Sequence, residues 1–220
     1  MVSLGRARLG ALALGAAGVL FVLYPAIRPY SDETSLQGAA AFASGAWVVA
    51  HVLAMVGFVL VALGLLALYG TLRDTPAEGP ALLAVVLSWI GVGLTLPYYG
   101  AEAFGLHVLG QEALRQHSTH LVGLASDVRY GPGVYLFIPG LLLLGAGAIL
   151  AAAAVWVSGR LPRWSGVPFA AAFALYIPQF FGSPAVRIVH GLLVTAGCLW
   201  LAAVVWRAAE PRRRPSVASS

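Results

Sequence analysis

The sequence predicts an all-α fold: a polytopic integral membrane protein, a six-transmembrane-helix bundle with both termini in the cytoplasm. Three observations predict it. The 220 residues are 60% hydrophobic and only 10% charged, and mean hydropathy is +0.87. Apolar runs of bilayer-crossing length recur along the chain, and arginines are unevenly shared between the connecting segments. Soluble domains carry about 25% charged residues, so this composition argues against a soluble protein.

A crossing helix needs ~20 mostly apolar residues. The runs cover about 9–27, 45–69, 81–104, 133–157, 167–182 and 188–206. With their loops they nearly exhaust the chain. Residues 1–207 therefore read as one membrane domain, and 208–220 as a short basic disordered cytoplasmic tail. Helix is the form these runs must take, because lipid offers the backbone no hydrogen-bond partners.

The first run follows Arg6 and Arg8, as a secretory signal would. Its apolar character continues to Ile27 with no small-residue cleavage site close behind, which favours a retained helix. Ala7, Ala11 and Gly15 recur on it at four-residue steps, and Ala50, Gly57 and Gly64 recur every seven on the second. Small side chains let membrane helices approach. The third run is expected to kink at Pro97. The fourth is rich in Gly140, Gly145, Gly147 and Ala151. Trp89 and Trp200 are expected to pack between helices. The stretch Leu94–Gly110 resembles Leu175–Gly191, each with a proline, an aromatic pair, a glycine and a later histidine, a possible degenerate repeat. Between the third and fourth runs, Leu106–Val128 has an amphipathic pattern and is expected to lie over the outer ends of the helices.

Orientation follows from arginine, since the chain has no lysine. A cytoplasmic N-terminus places Arg6, Arg8, Arg73, Arg160, Arg163, Arg207, Arg212, Arg213 and Arg214 inside, and Arg28, Arg115, Arg129 and Arg187 outside. That matches the positive-inside rule. The expected location is the cell membrane, multi-pass. The net charge of +5 points to the lipid bilayer as partner and not to nucleic acid. Cys198 lies within the last run and reads as a small buried hydrophobe.

The same threading brings all five histidines to the outer side. His51 lies six residues into its span, ~9 Å deep at 1.5 Å per residue. Glu102 follows Pro97, His107 ends the third run, and His190 begins the last. Titratable groups at one membrane depth indicate a site. His51, Glu102, His190 and His107 are the candidate metal ligands, with a divalent ion such as zinc the natural occupant. His117, His120 and Asp127 are secondary outer-face candidates. His51 and His190 as paired axial haem ligands form a weaker alternative. The inner half offers almost no polar group, which argues against a channel or proton relay.

No nucleotide loop, hydrolase elbow or zinc-ribbon pattern is present, so enzymatic activity stays open and no catalytic residue is assigned. Six runs, cytoplasmic ends, an outer pocket and small-residue pairs at Ala7/Ala11 and Ala13/Ala17 loosely resemble the substrate-binding subunits of energy-coupling-factor importers. That resemblance implies a membrane partner subunit. A homo-oligomer, or a structural protein with no small ligand, completes the alternatives.

Overall fold

Serines decide where several helices begin. The structure, a computed structural model, describes residues 4–210. After α1 (Leu4–Ile27), Ser35 accepts from the backbone of Gln37 and Gly38 to start α2 (Leu36–Phe42). Ser44 accepts from Trp47 to start α3 (Gly45–Leu72). Such caps satisfy amide groups that the first helical turn leaves open. Next come α4 (Glu78–Gly100), a π-helical turn (Ala101–Gly105) and α5 (Leu106–Arg115). Ser118 caps α6 (Thr119–Tyr130). The chain then forms α7 (Val134–Val157), α8 (Val167–Ala174) and α9 (Pro184–Ala208), the last capped by Ser183.

Five segments are long and apolar enough to cross a membrane: Gly5–Ile27, Gly45–Leu72, Glu78–Arg115, Val134–Val157 and Pro184–Ala208. The chain is a multi-pass helical membrane protein, and among the described residues no strand occurs. The remaining expected run, 167–182, differs. It folds as α8, eight residues long, then a turn and a 3-10 helix at Pro178–Phe181. The reason is local. Pro178 has no N–H to offer the carbonyl of Ala174, and its ring crowds that carbonyl, so the α-helix stops there. Leu94–Gly110 runs on as helix through Pro97 and the π turn, so the two similar stretches adopt different backbones. The basic stretch containing Arg212, Arg213 and Arg214, with most of the expected tail, lies outside the described residues; α9 itself continues through Ala208.

Close helix approach follows the small residues. A Cβ on Gly64 would run into Leu14, and one on Gly57 would press on Phe21. Gly18 lies against Thr195 and Cys198, and Gly191 against Phe21 and Val22. These contacts pack α1 antiparallel to both α3 and α9. Gly91 meets the Gly140 carbonyl and Gly147 meets Ser88, which packs α4 antiparallel to α7. Gly166 rests on Ala152 and Gly197 on Phe169, so α8 lies antiparallel to both α7 and α9. Trp89 and Trp200, expected between helices, are each about half exposed, at 50% and 44%, and the Trp89 indole donates to the Ala62 carbonyl.

A second, smaller core sits at the end of the bundle where α3 begins. Phe42, Trp47, Leu106, Ala113, Val122 and Ala125 close it, joining α2, α5 and α6 to the top of α3. The expected single amphipathic stretch is thus two helices. His117, at φ +48°, turns the chain between them.

Candidate functional site

Under this cap, at the same end of the bundle, lies a cavity of about 360 Å³. Its lower wall is apolar, with Phe137, Ile138 and Val134 from α7 and Phe180 from the broken segment. Its rim is charged. Arg28 ends α1, Glu33 stands in the following loop, His51 comes from α3, Glu102 from the π turn, Arg129 from α6 and Arg187 from α9. Tyr24, Tyr98, Tyr99 and Tyr130 complete the lining. π turns are rare and concentrate at functional sites.

Four of the charges form one continuous chain. Arg28 Nη2 donates to Glu33 Oε1 at 2.6 Å, and Arg129 Nη1 donates to the other Glu33 oxygen. Arg129 also grips Glu102 with two bonds, Nε to Oε1 at 2.6 Å and Nη2 to Oε2 at 3.2 Å. Fork-to-fork pairing of this kind fixes both position and charge. The Trp47 ring packs against both arginines, 4.6 Å from the Arg28 guanidinium and 6.0 Å from that of Arg129, a cation–π arrangement. Burial pushes the Glu33 carboxyl up, but the facing Arg28 and Arg129 charges outweigh it and hold the group below its ordinary value. Burial opposes the charge on Arg129, yet Glu102 and Glu33 together raise it above the usual arginine value.

His51 closes the chain. Its Nδ1–H donates to the Trp47 carbonyl at 2.7 Å, and Nε2 stands 3.8 Å from Glu102 Oε2. The structure therefore brings together two of the four expected metal ligands. The other two are engaged elsewhere. His190 donates from Nε2 to the Ala172 carbonyl at 2.8 Å and faces the edge of Tyr176. His107 binds the Phe42 carbonyl through Nδ1 and Gln111 through Nε2, each at 3.1 Å. Among the described residues, no three His, Cys, Asp or Glu side chains gather where they could hold a metal ion. Paired haem ligation is not assembled either, since the Nε2 of His190 is already bonded. His117, His120 and Asp127 are exposed on the cap and line no part of the cavity.

Arg187 is placed differently from the other two arginines. Its Nη2 donates to the Phe180 carbonyl at 2.6 Å and its Nε to the Gly182 carbonyl at 3.3 Å. Those carbonyls are available because the helix breaks at Pro178. Beneath the cavity, Tyr99 and Tyr176 share a hydroxyl contact of 3.1 Å, and Phe21 and Phe58 pack edge to face at 4.9 Å. Chemically, the arrangement holds fixed charges over an apolar floor. Glu102 is gripped twice by Arg129, which fixes its carboxylate in place.

Of the residues singled out from sequence, His51 and Glu102 line the cavity; Arg28, Glu33, Arg129 and Arg187 also line it and were not singled out. In the sequence the arginines read only as topological markers. The available signal was that the threading expected from sequence puts these arginines on the side where the positive-inside rule disfavours them.

No protein-family model matches the chain, and neither the search of curated proteins nor that of solved structures returned a match. The functional reading rests on the geometry.

Proposed function

We propose that this protein captures a small amphipathic molecule at the outer face of the cell membrane, in the cavity beneath the α2–α5–α6 cap. The observation that carries the reading is a charged rim over an apolar floor. Ligand sites are typically concavities of about 300–1,000 Å³, mostly apolar, with a few fixed polar groups. Charges inside a membrane domain are expensive and mark function by default. The His51–Glu102 pair belongs to this rim as an orienting element. Binding, not metal chemistry, is the reading favoured, because His190 and His107 have other partners.

The reading includes six crossings with cytoplasmic ends. It is supported by the arginine distribution and by direction. Both α7 and α9 run antiparallel to helices packed beside them, so segment 158–183 has to return the chain between their opposite ends. A membrane partner that accepts the captured molecule, as in an importer, is compatible with this layout.

The test uses protein in nanodiscs and a decyl series: decanoate, decanol and decylamine. At least one should raise Tm in a dose-dependent way, and Ile138→Trp, which fills the floor, should abolish the shift while leaving the unliganded Tm close to wild type. No shift with any member overturns the reading.

A further inference from the structure

Arg28, Arg129 and Arg187 bring three guanidiniums to the cavity, against the two carboxylates of Glu33 and Glu102. The carboxylates are shared between Arg28 and Arg129. Arg187 bonds only to backbone carbonyls, and among the described residues it has no carboxylate within ion-pair distance. We propose that Arg187 is the specificity-determining residue of this site, and that the molecule it selects carries a single negative charge on an apolar body. The inference rests on the capture reading above.

The geometry fits that role. Two carbonyls of the broken segment hold Nε and Nη2, which fixes the guanidinium without neutralising it. Nη1 has no hydrogen-bond partner among the described residues. Arg187 lines the main cavity and also a narrow neighbouring chamber with Tyr24, Gln179 and His190, so its side chain borders open space. A guanidinium in a low-dielectric cavity attracts an anion more strongly than it would in water. A dianion would leave excess negative charge beside Glu33 and Glu102, whereas one negative charge balances the rim. The apolar floor of Phe137, Ile138 and Val134 then covers the rest of the molecule.

The negative group can belong to a free carboxylate or to a lipid phosphodiester, and the experiment separates them. In zwitterionic nanodiscs, decanoate should bind about tenfold or more tighter than decanol, the range expected of a charged hydrogen bond, and decylamine should bind weakest. Arg187→Gln should erase the preference for decanoate while keeping decanol binding. Arg187→Lys should retain it in part. Phosphatidylglycerol nanodiscs without decanoate form the second arm. An Arg187-dependent rise in Tm there assigns the site to lipid, and its absence alongside decanoate binding assigns it to a free carboxylate.

Equal binding of all three decyl compounds to wild type overturns the inference and leaves the capture reading standing. Should Arg187→Gln fail to fold, the wild-type ranking and the Arg187→Lys result decide the matter. Absence of binding by every probe removes the capture reading itself.

Discussion

The indole N–H of Trp47 donates to the backbone carbonyl of Glu102 at 2.7 Å, across 55 residues of sequence. That bond joins the start of α3 to the π turn that carries the Glu102 carboxylate. Trp47 is fully buried, stacks beneath the Arg28 guanidinium and supplies the carbonyl that holds His51. One residue, through its ring, its indole N–H and its backbone carbonyl, thus positions three members of the rim.

Trp47→Phe separates these roles. It keeps an aromatic ring beneath the arginines and removes the donor. A buried carbonyl left without its partner costs about 1–3 kcal/mol. Trp47→Ala also loses the ring and should cost about 3–5 kcal/mol. Unfolding in detergent reads both. A Trp47→Phe variant as stable as wild type would mean that the bond to Glu102 contributes nothing.

Arg129 is the keystone of the charge chain, because it bonds both Glu33 and Glu102. Removing one partner of a buried ion pair leaves an uncompensated charge and costs about 3–5 kcal/mol. Arg129→Gln should therefore be severely destabilising. Adding Glu102→Gln should recover part of the loss, since the orphaned charge is then gone. A double variant weaker than Arg129→Gln by the full cost of Glu102→Gln alone would show that the two residues are not coupled.

Acid should loosen the cap. In the folded protein the Glu33 carboxyl is held below its ordinary value, the pull of Arg28 and Arg129 exceeding the opposing effect of burial. A depressed carboxylate contributes stability that is present above its unfolded pKa, ~4.3, and is lost as pH falls through the lower folded value. Tm should therefore hold between neutral pH and about pH 5 and decline below about pH 4. Glu33→Gln should show a shallower acid decline, measured in the same detergent. Parallel curves for the two proteins would overturn the assignment.

Much of the architecture is legible in the sequence because lipid imposes simple rules. Length and hydropathy mark α1, α3, α4, α7 and α9, and the recurrence of Gly57 and Gly64 marks where α1 approaches. Hydropathy alone fails at 167–182, where Ala172, Phe173 and Leu175 keep the run apolar while Pro178 breaks the helix. The site was legible in part for a similar reason. His51 and Glu102 stand out against apolar neighbours. Glu33 and Arg129 lie in polar segments, where nothing local distinguishes a solvated charge from one folded inward against a partner 96 residues away.

The broken segment allows a direct test of the sixth crossing. Eight helical residues cover only ~12 Å, against a hydrocarbon core of ~30 Å. The flanking turns must supply the rest, and irregular backbone is tolerated at that depth only where protein covers it. Ser165 is fully buried before α8 and Gln179 is buried after it, whereas Leu175 and Phe181 of the same turns are exposed. In a Cys198→Ala background, Gln111→Cys and Ala185→Cys should react with an impermeant maleimide added to intact cells. Arg160→Cys should react only after permeabilisation. Labelling of 160 and 185 from the same side would mean that the chain doubles back within the membrane, leaving five crossings and placing the C-terminal end of α9 opposite the N-terminal end of α1.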